Sequence, residues 1–306
     1  MSESALSASV VAAVEDLELA ARLVVEGLRA GTHRSPFHGF SAEFQQHRPY
    51  RPGDDLKHLD WKLLARTERL YSRQFRETTS MSAMLVVDTS ASMAFPEEGP
   101  SKLRYAQLLA AALAYLTVTA GDSAGLMTSM DGDLAYRPAR SGRSHLRSLV
   151  AAVDGLRATG VWPAPEVIAR AGELLRRRGL VIVISDFYDQ EDEVRAALRR
   201  LIHRGHDVAM IQLTSDEETT FPYRDELEFE DLETGRRRVV HPAEVGEAYR
   251  TAVRSFHERC REAAHRDGID HVLISTARPP SSSLRDFLVR RASRGGRVVR
   301  GQVGAG

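Results

Sequence analysis

Apolar positions along the 306-residue chain fall into two regimes. From about Leu6 to Leu28 they recur in steps of three and four, at Val10, Val14, Leu17, Ala21, Val24 and Leu28, and the run stops at Gly31. That spacing predicts one helix with a single apolar stripe, facing either the core or a partner. From Met84 onward, short unbroken apolar runs alternate with helical stripes. Two of the runs, Met84–Val87 and Leu180–Ile184, are apolar throughout, as strands buried on both faces must be. The alternation predicts a mainly parallel sheet flanked by helices, a doubly wound α/β fold. The expected helices cover about 102–120, 144–154, 164–178, 191–203, 243–266 and 282–292. The expected strands cover about 123–129, 134–137, 207–213 and 269–275, and a short hairpin falls inside the polar excursion 220–240.

The segment between these regimes, 32–74, is weakly periodic. Pro52-Gly53 marks a turn inside it, and Leu70–Phe75 alternates as a strand does. A segment of this length without clear elements is either functional or packed across another unit. His33, His38, His47 and His58 do not match the two-on-one-face spacing of a histidine metal site. Its arginines alternate with Glu43, Asp54, Asp55, Asp60 and Glu68, a pattern that favours an internal salt-bridge network over a basic patch. The Gly/Arg-rich end, 293–306, reads as a disordered tail. The expected organisation is therefore an N-terminal helix and motif region over 1–80, an α/β domain over 81–292, and the tail.

Composition narrows the function. Lys+Arg and Asp+Glu both number 42, so no overall field selects nucleic acid or an anionic membrane. A single cysteine, Cys260, rules out an internal disulfide framework and fits a reducing, cytoplasmic setting. No apolar run has the roughly 18 residues that a transmembrane helix needs.

The chemistry concentrates where the two apolar runs meet carboxylates. The first leads into Asp88-Thr89-Ser90-Ala91-Ser92 and the second into Ser185-Asp186-Phe187. In open α/β sheets, ligands bind where loops leave the carboxyl ends of the strands. Asp88, Ser90, Ser92 and Asp186 there form an oxygen-only set, suited to a hard cation such as Mg²⁺ that keeps several waters.

Asp88-x-Ser90-x-Ser92 resembles the metal-ion-dependent adhesion site of von Willebrand factor A (vWA) domains. The wider pattern resembles the bacterial DUF58 family, which is built on that domain. It includes Gly31-x-His33-x-Ser35, Gly39-Phe40-x-x-Glu43-Phe44 and Arg48-x-Tyr50-x-Pro52-Gly53-Asp54-Asp55. It continues through Asp60-Trp61-Lys62-x-x-Ala65-Arg66-Thr67 to Ser185-Asp186-Phe187. The resemblance spans roughly residues 30 to 292 and implies a vWA-like domain preceded by the family's motif region. It also implies a partnership with a MoxR-type AAA+ ATPase acting on a client protein, in chaperone-like remodelling or cofactor insertion. The second metal loop of such domains contributes a threonine. Here Trp162 stands near that place and Thr159, just upstream, is the substitute the resemblance offers.

The resemblance implies recognition without turnover, a divalent cation (Mg²⁺, with Mn²⁺ or Ca²⁺ as alternatives) leaving one position for a partner's Asp or Glu. The alternative is a scaffold whose metal site is vestigial and whose N-terminal block binds partners. Enzymatic readings are weaker. Aspartyl-phosphate chemistry needs a second carboxylate two residues after the first, where Ser90 stands. No Gly-x-Ser-x-Gly elbow ends a strand, and no Gly-x-x-x-x-Gly-Lys loop supports nucleotide hydrolysis.

Overall fold

The computed structural model describes residues 7–12, 14, 16–30, 44–49, 70–75, 81–130, 132–175, 177–188 and 191–298. They belong to two compact units, one made of 1–36 with 81–306 and one of 37–80. In the smaller unit, strands β1 (Phe44–Pro49) and β2 (Tyr71–Phe75) pair antiparallel. The second was expected and the first was not. Of the family motifs quoted for that region only Phe44 and Arg48 fall among the described residues, and of its four histidines only His47 does.

The larger unit is built on a six-stranded sheet. Its strands are β3 (Ser82–Val87), β4 (Ser123–Met130), β5 (Asp133–Arg140), β6 (Leu180–Ser185), β7 (Asp207–Thr214) and β10 (Asp270–Ser275). They lie in the order β10-β7-β6-β3-β4-β5, parallel except for the hairpin partner β5 at one edge. This is the expected doubly wound α/β fold. Strand order reverses between β3 and β6, which puts the topological switch point, and hence the crevice for a ligand, at their carboxyl ends. Both strands are buried along their apolar length, as continuous Val/Ile/Leu runs require.

Helix α3 (Lys102–Thr119) follows β3. It is apolar nearly all round, with Leu103, Leu108, Leu109 and Leu113 on different sides, so it must be covered on more than one face. The sheet covers one side and α2 (Leu17–Ala30) another. The N-terminal stripe thus packs as a core helix. It is broken before Leu17, where the Asp16 carboxylate accepts hydrogen bonds from the N–H groups of Glu18 and Leu19. A separate short turn, α1 (Ala8–Ala12), precedes the break.

Helices α4 (Arg143–Asp154), α5 (Ala164–Leu174) and α6 (Glu191–His203) complete the layers. After β7 comes α7 (Asp216–Thr220), then the hairpin β8 (Leu227–Glu230) and β9 (Arg237–Val240), and the long α8 (Pro242–Arg266). The last helix, α9 (Pro280–Val298), runs past the boundary at 292 expected from composition; Arg291 ties it to Asp207 and Asp270 at the starts of β7 and β10. Residues 299–306 of the expected tail lie outside the described residues. Helix α5 ends at Leu174 where a helix to 178 was expected, because Leu175 turns extended to feed β6.

Candidate functional site

The two aspartates leave adjacent strands. Asp88 follows β3 and Asp186 follows β6, and the Asp88 N–H donates to the Ile184 carbonyl at 3.0 Å. Both are buried, at 3% and 2% exposed. The Asp88 carboxylate is held at both oxygens: the Ser90 N–H donates to one at 2.7 Å and the Ser185 hydroxyl to the other at 2.5 Å. Ser90 and Ser92 hydroxyls are 3.0 Å apart, and Ser92 donates to an Asp186 oxygen at 2.9 Å. Four of the five expected residues therefore converge. Thr159 does not join them through its side chain. Its backbone N–H donates to the Thr89 carbonyl at 2.9 Å, its side chain is exposed, and it is absent from the residues lining the cavity the other four share.

Two charged residues at this site went unread in the sequence. Lys102, at 1% exposure, donates to Asp186 at 2.7 Å and to Glu218 at 2.6 Å. Burial lowers its ammonium pKa, but the charges of Asp186 and Glu218 outweigh this and leave it raised. Glu218 is held by its own capping box on α7, where Ser215 accepts from the Glu218 N–H and Glu218 accepts from the Ser215 N–H. Burial, then the charge of Asp186, pushes the Asp88 carboxyl up to about 7. The physical reason is first the loss of water around Asp88 and then the like charge of Asp186 beside it; Lys102 pairs with Asp186 and the half-buried Glu218, not with Asp88.

Octahedral Mg²⁺ with bonds of about 2.0–2.1 Å places neighbouring ligand oxygens about 2.9–3.0 Å apart. The Ser90–Ser92 and Ser92–Asp186 oxygen pairs have that spacing. Among the described residues no three His, Cys, Asp or Glu side chains form a metal-holding group. A cation here must draw on the serine hydroxyls, with Asp88 behind them as a charge.

The site opens into a cavity of about 1000 Å³. One wall is aromatic: Phe221 packs against Tyr223, Phe229 and Tyr249 with ring centroids 5.2, 5.8 and 4.6 Å away. Trp162, where the resemblance expects a threonine, lines the same cavity, and its buried indole N–H has no hydrogen-bond partner.

The chain is similar to several known proteins. The chain is 28% identical over 237 residues to the "Uncharacterized protein Rv1480" of Mycobacterium tuberculosis and to the "Uncharacterized protein Mb1516" of Mycobacterium bovis, covering 76% of this chain and 74% of each relative. Similar solved structures include an aerotolerance-related membrane protein from Bacteroides fragilis, with TM-score 0.47, 17% identity and coverage of 69% of this chain and 100% of that one. Another is the VWA domain of SpRpn10, with TM-score 0.39, 13% identity and coverage of 69% and 95%. Residues 46–261 match the family described as "Protein of unknown function DUF58". That match takes in the end of β1, the Asp88 loop, Lys102, Asp186 and Glu218, and the chain belongs to the DUF58 family.

Proposed function

We propose that this protein is a non-enzymatic interaction module that captures a partner at the carboxyl end of its sheet. A divalent cation, Mg²⁺ by preference and Mn²⁺ or Ca²⁺ as alternatives, would be held by Ser90, Ser92 and Asp186 with Asp88 behind them. In the cytoplasm the module would serve a MoxR-type AAA+ ATPase as adaptor or co-chaperone for a client protein. The charge balance carries the cation reading: with Asp88 ionised, Asp88, Asp186 and Glu218 against Lys102 leave two negative charges, and one divalent ion would balance them and draw the proton off Asp88. The oxygen spacing is compatible with that assignment and equally with the hydrogen bonds these groups make to one another. The ATPase partnership is supported by the family resemblance alone. The doubly wound fold with a ligand crevice supports recognition, and Ser90 in place of an acid–base carboxylate supports the absence of turnover.

Two observations favour the second reading, a scaffold with a vestigial metal site that binds partners through its N-terminal block. Lys102 already supplies a cation to Asp186, and Trp162 fills the place of the second-loop threonine. Titration calorimetry of Mg²⁺, Mn²⁺ and Ca²⁺ into chelator-treated protein separates the two. Saturable binding that is lost in Asp88→Ala and in Ser90→Ala/Ser92→Ala supports the loaded site. No heat in the unaltered protein, with the fold intact by circular dichroism, supports the scaffold.

A further inference from the structure

The cavity beside the cation site has a chemistry that the site itself does not explain. Beyond Asp88, Asp186, Glu218 and Lys102, its lining carries Glu217, Glu230, Asp231, Glu233 and Glu244 against the single guanidinium of Arg238. Setting Glu230 against Arg237, 2.9 Å away, and Asp231 against the charge of Arg236 beside it leaves Glu217 and Glu244 facing Arg238, with His241 beside them. A divalent ion placed among the inner residues cancels only the inner deficit. The rim stays acidic whether or not that ion is bound.

The walls between these charges are apolar. Leu232, Val239 and Val245 line the cavity while remaining exposed, beside the Phe221 cluster. Exposed apolar side chains grouped on one concave surface mark a binding site. Backbone geometry points to the same place. The two non-glycine residues with left-handed backbone among those described are Phe187 (φ 60) and Phe221 (φ 49), and both line this cavity. Such backbone is strained and concentrates at ligand clamps, although at Phe221 it also ends α7 as a left-handed C-cap. Trp162, 5% exposed, adds a buried indole N–H that needs an acceptor. A peptide carbonyl is one. The hairpin beside it is a sheet of only two strands, so each offers an edge to an added strand.

We propose that this groove docks a basic peptide segment of a partner protein, with Lys or Arg side chains meeting the rim and an apolar or aromatic residue seated on the Phe221 wall. A segment that is mainly acidic is disfavoured by the same rim. The inference names the partner chemistry for the interaction module proposed above, yet it stands on the groove and not on the cation.

The test is fluorescence anisotropy with a labelled nonapeptide of alternating Arg and Leu around a central Trp, in chelator and separately in Mg²⁺. Controls are the same peptide with Gln for Arg and with Glu for Arg. The expected result is saturable one-to-one binding, at least 10-fold weaker for the Gln peptide and absent for the Glu peptide. Glu217→Gln/Glu244→Gln should weaken it about 10-fold, and Leu232→Ser/Val239→Ser similarly, with melting temperatures showing that each variant is folded. Equal binding of the Arg and Gln peptides, or binding unaffected by both double variants, overturns the proposal. Failure of Mg²⁺ uptake with peptide binding intact removes the cation reading alone. Mg²⁺ uptake without peptide binding removes this one.

Discussion

Lys102 occupies the first position of α3, where aligned backbone dipoles disfavour a positive charge, and it is buried there as well. Asp186 and Glu218 stabilise it against both effects. Removing it strands two carboxylates, so Lys102→Met is expected to destabilise the metal-free protein by about 3–5 kcal/mol in urea unfolding. Adding Glu218→Gln should recover part of that loss; strictly additive losses would refute the coupling. The Asp88 carboxyl, pushed up to about 7 by burial and by Asp186, gives a pH prediction with the opposite sign to an ordinary paired aspartate. The folded chain keeps the proton above the pH at which the unfolded chain releases it. This contribution is therefore fully present at acid pH and is lost as pH rises toward about 7. In chelator, the melting temperature should fall from pH 5 to pH 8 more steeply for this protein than for Asp88→Asn. Equal slopes in calorimetry would contradict it. The aspartates and serines were legible because loops at the ends of buried strands announce themselves. Lys102 and Glu218 were not, because their pairing spans 116 residues and the capping box that holds Glu218 carries no sign of Lys102.

At the scale of elements, the apolar runs and helical stripes located the sheet and most of its helices, since a strand buried on both faces leaves an unbroken Val/Ile/Leu signature. What they missed has a local reason. Strand β1, FQQHRP, carries no alternation to read, and α7 is a single five-residue turn held by its capping box. The N-terminal stripe gave the apolar face of α2 but not the interruption at Asp16, which acts through hydrogen bonds to the next turn's backbone. Gly125 shows how one residue holds two elements together. The β4–β5 register shifts beside it, and a Cβ there would stand 2.8 Å from the Ala139 nitrogen and the Arg137 carbonyl oxygen. Both are backbone atoms and cannot swing aside. Gly125→Ala should force β5 away and destabilise the protein by about 1–3 kcal/mol, as overpacking does. An unchanged denaturation midpoint would show that β5 gives way freely.

At the scale of the molecule, the described part of 1–36 belongs to the α/β unit and not to the segment that follows it in the chain. Leu17, Ala20, Ala21, Val24, Val25 and Leu28 are buried on α2, which packs on α3 and α9. Arg104 of α3 donates to the carbonyls of Ala12 and Val14, and Arg285 of α9 donates to the Gly27 carbonyl. These bonds satisfy the carbonyls of Ala12 and Gly27 in the last turns of α1 and α2, and that of Val14 in the link between the two helices. Each fully buried Leu or Val contributes about 1.5–3 kcal/mol relative to exposure, and the α3 surface beneath loses its cover as well. A chain begun at residue 31 should therefore keep its sheet but melt at least about 6 °C lower, at roughly 2–4 °C per kcal/mol for a unit of this size. It should also bind a hydrophobic dye, and a peptide of residues 1–30 supplied in trans should reverse both changes. A truncated chain with an unshifted melting temperature and no dye binding would mean that α3 is stable with that face bare. The all-round apolar sequence of α3 argues against it, because a helix without a polar face has no side to turn to water.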